Sequence, residues 1–286
     1  MNQNLFNISA IAILLLAGTL GCKKEIHVTG VTFDESEMIL TVGETETLTA
    51  TVLPSDATNK AVSWTSNNTT VADVSNGMVT AKEPGTATIT VITADGNYTA
   101  QCTITVIPVE KGVVIRGVRW ATRNVGKPGT FVAHPEDAGM LYQWNKKVGW
   151  SATDPMINSK GGDTWDDSKA AGKAWTKEND PCPKGWRVPT HKEQELLTYV
   201  DHEWTTLNGV NGRSFGSGDN TLFLPAAGSR IHSTGELTFV GVYGYYWSCH
   251  ASNGTYGEYL YIHSSNIYPD NSTNKASGFS IRCVAE

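Results

Sequence analysis

Polar and apolar residues alternate along much of this chain, and the alternation predicts β-strands. Residues 45–52 place threonine at every second position, and residues 86–91 repeat the pattern as Thr-Ala-Thr-Ile-Thr-Val. A period of two with β-branched residues is typical of strands that bury one face. Turn-forming pairs such as Asn76-Gly77 separate these segments at intervals of about ten residues, which favours a β-sandwich.

The pattern changes around residue 181, where a proline-punctuated loop leads into a predicted helix. Thr190 is the expected N-cap, and Glu193 supplies the second half of a capping box. The apolar positions after it predict a helix from His191 to about Asp201. Residues 277–284 alternate again and predict a final strand with one buried face.

Length and composition indicate how many domains the chain can form and exclude nucleic acid as a partner. The chain has 286 residues, 40% of them hydrophobic and 17% charged, which is enough for two folded domains. Its net charge of −6 leaves no basic surface for phosphate backbones, so nucleic acid is excluded as a partner.

The N-terminal apolar run, residues 8–20, is too short to span a bilayer and predicts a signal peptide. It ends in Gly21-Cys22 before charged residues, and this junction resembles the lipobox of bacterial lipoproteins. The resemblance implies that residues 1–21 are removed, that Cys22 is lipidated and that residues 22–27 tether the chain to a membrane. The alternative is an ordinary secretory peptide cut near Gly21.

The order and spacing of the segments 62–66, 71–81 and 85–91 resemble the bacterial Ig-like domain of group 2. The resemblance implies an all-β Ig-like sandwich at residues 28–107, of the kind that serves as a stalk or spacer on surface proteins. Cys102 stands alone in this segment, so an intersheet disulfide is excluded and the core around Trp64 must hold by packing.

Residues 108–113 form a predicted linker. The region after it resembles the Fibrobacter succinogenes major paralogous domain in several motifs that occur in the same order. These motifs are residues 118–126, 136–144, 181–190, 222–230 and 244–248 and the final strand. The piece 185–190 and the terminal Gly-Phe-x-x-Arg are also similar to sulfatase-modifying and C-type-lectin-like folds. The resemblance implies that residues 114–286 form an α+β C-type-lectin-like domain with long irregular loops and with both ends on one sheet.

We expect Cys182 and Cys283 to form a disulfide that ties the loop before the helix to the last strand. In an exported protein, a bridge closing a loop of this length contributes about 4–5 kcal/mol. The alternative is two reduced, buried thiols.

The sequence predicts no enzyme. Residues 212–216 fit the Gly-x-Ser-x-Gly pattern of a nucleophile elbow, but turn formers flank them on both sides and predict a hairpin loop. The seven histidines show no paired spacing for zinc.

The residue types favour binding, and the tryptophan-rich segment 140–180 is the first candidate site. Trp144, Trp150, Trp165 and Tyr246 are candidate glycan contacts, since sugar rings stack on aromatic faces. The alternative is that these side chains form the domain core. A second set of aromatic residues lies on two predicted neighbouring strands, where side chains at odd and even positions point to opposite faces. One of the two faces is expected to pack in the core and the other to line a surface patch. The members are Tyr243, Tyr245, Tyr246, Trp247, Tyr256, Tyr259 and Tyr261.

Asp163, Asp166 and Asp167 are a candidate calcium site, because calcium prefers hard oxygen ligands; no other cofactor is indicated. The alternative is that these aspartates begin a helix at residues 167–175.

Together these features predict a protein lipid-anchored in the outer membrane, with a lectin-like domain on an Ig-like stalk that faces either the cell exterior or the periplasm. Its expected partners are the membrane, through the lipid, and a glycan or surface protein. The alternative function is a structural or assembly subunit of a surface fibre or glycan-uptake complex.

Overall fold

The structure is a computed structural model that describes residues 24–286. The predicted signal peptide and the predicted lipidation site, Cys22, lie outside the described residues. Within them, no helix is long and apolar enough to cross a membrane.

The first folded part of the chain consists of short strands. They are β1 (Gly30–Phe33), β2 (Glu37–Thr41), β3 (Thr45–Thr47), β4 (Ala50–Leu53), β5 (Val62–Ser66), β6 (Ala72–Ser75), β7 (Met78–Ala81), β8 (Gly85–Thr93) and β9 (Thr99–Ile107).

These strands form a sandwich around one core. One sheet has the order β2-β9-β8-β5, a second has the order β3-β7-β6, and β1 pairs with β4. Side chains that point inward from the strands of both sheets fill the core; Val79, Ile89 and Ile104 are among them. The predicted alternation over residues 45–52 is split between β3 and β4, because the buried Leu48 donates its backbone N–H to Gly77 O and the chain changes sheets there.

The second part contains more strands, most of them short. They are β10 (Val113–Ile115), β11 (Val118–Trp120), β12 (Leu141–Tyr142), β13 (Gly149–Trp150), β14 (Trp186–Arg187), β15 (His202–Leu207), β16 (Val210–Phe215), β17 (Leu222–Pro225), β18 (Ser229–Arg230), β19 (Leu237–Thr238), β20 (Gly244–Ala251), β21 (Tyr256–Ile262), β22 (Ile267–Asn274) and β23 (Val284–Ala285).

The second part contains three sheets of three or four strands, and one of them holds both the first and the last strands of this part. They have the orders β10-β11-β23-β14, β15-β16-β17 and β20-β21-β22. The last strand, β23, lies between β11 and β14, so the first and last strands of the region share a sheet.

The helix content is smaller than the α+β expectation. In residues 24–286 the α-helical element is α1 (His191–Glu195), which continues as a 3-10 turn over Leu196–Tyr199. The predicted capping box is present: Thr190 accepts from Glu193 N, and the Glu193 carboxylate accepts from Thr190 N at 2.7 Å. The helix stops six residues before the predicted end, because the chain tightens into the 3-10 turn and Val200 is already extended ahead of β15.

The predicted linker is a packed junction. Ile107, the last residue of β9, belongs to the same buried cluster as Val125 and Trp144 of the second part. Glu110 and Arg123 form an ion pair at 2.9 Å, and Arg123 also donates to Pro108 O. The end of the sandwich therefore enters the core of the second part.

Candidate functional site

The sheet β20-β21-β22 separates two environments because successive side chains of a strand point to opposite faces. Tyr246, Leu260 and Ile262 lie on one face and pack in a buried cluster. The other face carries a set of aromatic side chains that are half-buried or exposed. We call this set the tyrosine face; its members are Tyr243, Tyr245, Tyr259, Tyr261, His263 and Tyr268.

Within the tyrosine face, the rings of Tyr261 and His263 are each close to parallel with that of Tyr268. Tyr261 and Tyr268 have ring centroids 5.9 Å apart and planes at 18°, and His263 lies 5.7 Å from Tyr268 at 21°. Tyr245 lies 5.2 Å from Tyr261 at 30°. The centroids of Tyr261, His263 and Tyr268 are 5.2–5.9 Å apart, which excludes one face-to-face column, so these rings are offset from one another and cluster on one face of the sheet.

Tyr243 stands across this surface. Its ring makes angles of 84° with Tyr245, 63° with Tyr261 and 81° with His263, with centroids 5.4–6.3 Å apart. We call the clustered rings of Tyr245, Tyr261, His263 and Tyr268 the floor, and the steeply inclined ring of Tyr243, near the turn before β20, the wall.

The opposite end of the floor is closed by Phe279. This residue lies 4.8 Å from Tyr245 in a stacked arrangement, and 4.4 Å from Trp247. Phe279 and Trp247 are buried. The tyrosine face is thus anchored in the core at one end and open to solvent at the other.

The phenols of Tyr245, Tyr259 and Tyr261 are protonated at neutral pH. Burial raises the pKa of Tyr261 to about 12, with further contributions from the phenols of Tyr243, Tyr259 and Tyr268. Burial also raises the pKa of Tyr245 and Tyr259. Residues 237–247 and 259–269 contain no Asp, Glu, Lys or Arg. The surface offers ring faces and neutral hydroxyl donors.

The structure does not support the four side chains predicted as ligand contacts. Trp144 and Tyr246 are 0% exposed and Trp150 is 2% exposed, so all three are core residues. Trp165 is half-buried against Trp150, at 4.8 Å, and its indole N–H already donates to His232 O. The prediction was wrong for Trp144, Trp150 and Tyr246, because large aromatic side chains serve equally well as core and these three are covered by other parts of the domain; for Trp165 it stays a prediction.

The irregular segment around Trp165 is held by buried cations. Lys275 is fully buried, donates to Gly172 O at 2.7 Å and lies 4.1 Å from the ring centroid of Trp144. Arg230, also buried, donates to Ser151 O and Thr153 O at 2.8 Å. The alternative helix at residues 167–175 is absent from the described chain, which these contacts hold in an irregular path.

The three aspartates predicted to bind calcium do not gather into a site. Asp166 pairs with Lys146 at 2.6 Å, and the hydrogen bond from Lys146 lowers the pKa of this carboxyl to about 2, with help from Ser168. Among residues 24–286, no group of three or more His, Cys, Asp or Glu side chains, Asp163 and Asp167 included, is placed to hold a metal ion.

The predicted disulfide is confirmed. Cys182 and Cys283 are bonded, with Cα atoms 6.1 Å apart. Asp180 shapes the loop that holds Cys182, since its two carboxylate oxygens accept from Cys182 N and Val188 N at 2.9 and 3.1 Å. Arg187 completes the loop with two hydrogen bonds to Glu193.

The other cysteines of the described chain, Cys102 and Cys249, are free thiols. Burial raises the pKa of each to about 11. The Gly-x-Ser-x-Gly segment 212–216 lies largely on β16, the second strand of a hairpin that turns at Asn208-Gly209, and not in the predicted loop.

The alternation of aromatic residues predicts only part of the tyrosine face. It places Tyr243, Tyr245, Tyr259 and Tyr261 on one parity, but it does not include His263 and Tyr268. The sequence could have placed His263 on the tyrosine face, since this residue continues the odd-numbered positions of β21. Tyr268 is harder to find because β22 is irregular between the partners of Tyr259 and Tyr261, which shifts its parity.

The facing sheets of β1–β9 define an Ig-like β-sandwich. Residues 27–104 match the family model of the bacterial Ig-like domain (group 2), so this part of the chain is a domain of that family, as its sequence motifs indicate.

Two curated proteins are each similar to part of this chain. An Ig-like virion protein of Serratia phage KSP90 is 47% identical over 83 residues, which are 28% of this chain and 32% of that protein. An uncharacterized protein of Clostridium acetobutylicum is 36% identical over 135 residues, which are 46% of this chain and 13% of that protein. The chain therefore spans about a third or less of the length of these relatives.

Among solved structures, domains 4 and 5 of the S-layer protein SbsC align with 28% of this chain and 51% of their own, at 21% identity and a TM-score of 0.24. This likeness is too low to support a statement about function.

Proposed function

We propose that this protein acts at the bacterial cell surface, where the Ig-like domain carries a C-terminal region whose tyrosine face binds glycan. The tyrosine face is the observation that carries the proposal. The C–H faces of sugar rings stack on aromatic rings, and protonated phenols donate hydrogen bonds to sugar oxygens. The upright ring of Tyr243 adds a second surface at an angle to the floor.

In this proposal the chain is exported and Cys22 carries the lipid that anchors it in the outer membrane. The assignment of residues 114–286 to the Fibrobacter succinogenes major paralogous domain stays a prediction. The proposal is one of binding, and no step of catalysis belongs to it.

A structural role is the second candidate, and the Ig-like domain favours it. A relative of this domain is by name a virion protein. In that case the Ig-like domain and the region after it assemble with other surface proteins, and the tyrosine face has no small ligand.

A glycan array with the purified full chain, run with calcium and again with chelator, tests the proposal. We expect saturable binding to one class of glycan that persists in chelator. Tyr268→Ala removes a floor ring and should weaken that binding about tenfold, or about 1.4 kcal/mol.

Tyr256→Ala is the matched control. Tyr256 lies on β21 with even parity, away from the tyrosine face, and is 45% exposed, whereas Tyr268 is 43% exposed. This control should leave affinity unchanged. Equal effects of the two substitutions, or no saturable binding by the unaltered chain, would contradict the proposal and favour the structural role.

A further inference from the structure

Phe239, next to the tyrosine face, adopts a backbone conformation that aromatic residues seldom adopt. It lies between β19 and β20 with a φ of +61°. Left-handed backbone is uncommon for bulky residues and costs on the order of 1–3 kcal/mol, so it persists only where the surroundings impose it.

The surroundings of Phe239 do impose it. The carbonyl of Phe239 accepts from Val242 N and Tyr243 N, each at 3.1 Å, and Gly241 N donates to Ala226 O at 2.7 Å. Gly228 lies against this turn so closely that a Cβ atom there would be 2.3 Å from Thr238 O and 2.8 Å from Val240 N. The turn is thus pinned from two sides.

The strained backbone does not serve to bury the side chain. Phe239 is 52% exposed, and its ring centroid is 5.0 Å from that of Tyr243 at an angle of 46°. The structure therefore holds an apolar ring in solvent beside the wall of the tyrosine face. A core-packing role accounts for neither the exposure nor the strain.

We infer that Phe239 forms a second subsite, which extends the tyrosine face across Tyr243 so that it binds a neutral glycan chain and not a single sugar. This inference rests on the proposed function. The floor around Tyr261 and Tyr268 holds one sugar unit, and the ring of Phe239 contacts a later unit of the same chain.

The uncharged character of the ligand follows from the residues that build the two subsites. The segments 237–247 and 259–269 contain no Asp, Glu, Lys or Arg, and their one basic side chain is the imidazole of His263. Arg213 donates to His263 O and Ser264 O but is itself buried. A carboxylate or sulfate on the glycan would find no Lys or Arg in these segments to pair with, and its desolvation on the aromatic floor would go largely uncompensated. Neutral hexose or pentose chains avoid this cost.

The test uses the full chain with neutral gluco-, manno- and xylo-oligosaccharides from monosaccharide to hexasaccharide, and with oligogalacturonates as the anionic counterpart. Phe239→Asn removes the ring and introduces a residue that tolerates the left-handed conformation. We expect the melting temperature to stay the same or to rise, while affinity for the longer neutral chains falls about tenfold and affinity for the shortest bound chain is unchanged.

Val242→Ala, which trims an exposed apolar side chain in the same turn, is the control and should leave all affinities unchanged. Affinities of Phe239→Asn that match the unaltered chain at every length would overturn the second subsite while leaving the tyrosine face as a binding site. Preference for oligogalacturonates would overturn the neutral ligand. Failure of the unaltered chain to bind any oligosaccharide would overturn the proposed function and the subsite with it.

Discussion

Arg123 Nε lies 2.9 Å from Glu110 Oε2, and each side chain is only 5% exposed. Glu110 also accepts from Gly112 N at 2.8 Å and from the Thr122 hydroxyl at 2.9 Å. The pair thus joins the chain that leaves the Ig-like domain to the start of the region after it. The linker is held at this point by a buried, fully hydrogen-bonded charge pair.

Arg123→Leu should destabilise the protein by about 3–5 kcal/mol, because it leaves the Glu110 carboxylate buried without its cation. Lys127→Ala is the control: Lys127 pairs with Glu35 at 3.8 Å with both side chains exposed, and loss of such a pair costs about 0–1 kcal/mol. Denaturant unfolding of both variants measures the difference. Equal losses would show that the buried pair has no special weight.

Glu110 should also make the protein sensitive to acid. Burial by itself raises the pKa of this carboxyl, but the hydrogen bond and charge of Arg123 and the Gly112 N–H outweigh it, so its pKa lies below the ordinary value of 4.5. A lowered folded-state pKa contributes stability above the unfolded pKa, and this contribution is lost as pH falls through the folded value. Glu110→Gln should therefore flatten the decline in unfolding free energy below about pH 4.5. An unchanged decline would assign it to other carboxyls.

Removal of the disulfide by Cys182→Ser with Cys283→Ser should lower the unfolding free energy by about 4–5 kcal/mol, because the unfolded chain regains the freedom of a loop of 101 residues. Cys249→Ser, which removes a free thiol, is the comparison and should cost much less. Mass spectrometry of the non-reduced protein should find two hydrogens fewer than in the reduced chain. Two alkylatable thiols at these positions in the native protein would refute the bridge.

Trp144→Ala should act on stability and not on binding as such. Trp144 is fully buried and its indole N–H donates to Ser248 O at 3.1 Å, so its loss should cost about 3–5 kcal/mol. Glycan affinity measured well below the melting temperature should stay within about twofold of the unaltered chain. A large loss of affinity with intact stability would return Trp144 to the binding site.

The thiols of Cys102 and Cys249 should react slowly in the native protein. With pKa values of about 11, roughly a thousandth of each is thiolate at pH 8, and the thiolate is the reactive form. Iodoacetamide should modify both quickly in denaturant and slowly without it, as followed by intact mass. Fast native labelling of Cys249 would show that its surroundings open in solution.

Features that depend on neighbours in the chain can be predicted from the amino-acid sequence alone. The threonine alternation predicts strands because period two follows from the pleat, and the Thr190–Glu193 capping box depends on groups three residues apart. The motif order at residues 62–91 likewise indicates the bacterial Ig-like domain.

The division of the aromatic residues between core and surface depends on the tertiary structure. Tyr245 and Tyr246 are adjacent and chemically identical, yet one lies on the tyrosine face and the other is 0% exposed. Trp144 is buried because Ser248, His250 and Lys275, more than 100 residues away, close around it. Burial depends on which residues from distant parts of the chain pack over a side chain. A local sequence pattern gives the period of a strand and the face on which each residue lies, but it does not identify the residues that cover that face.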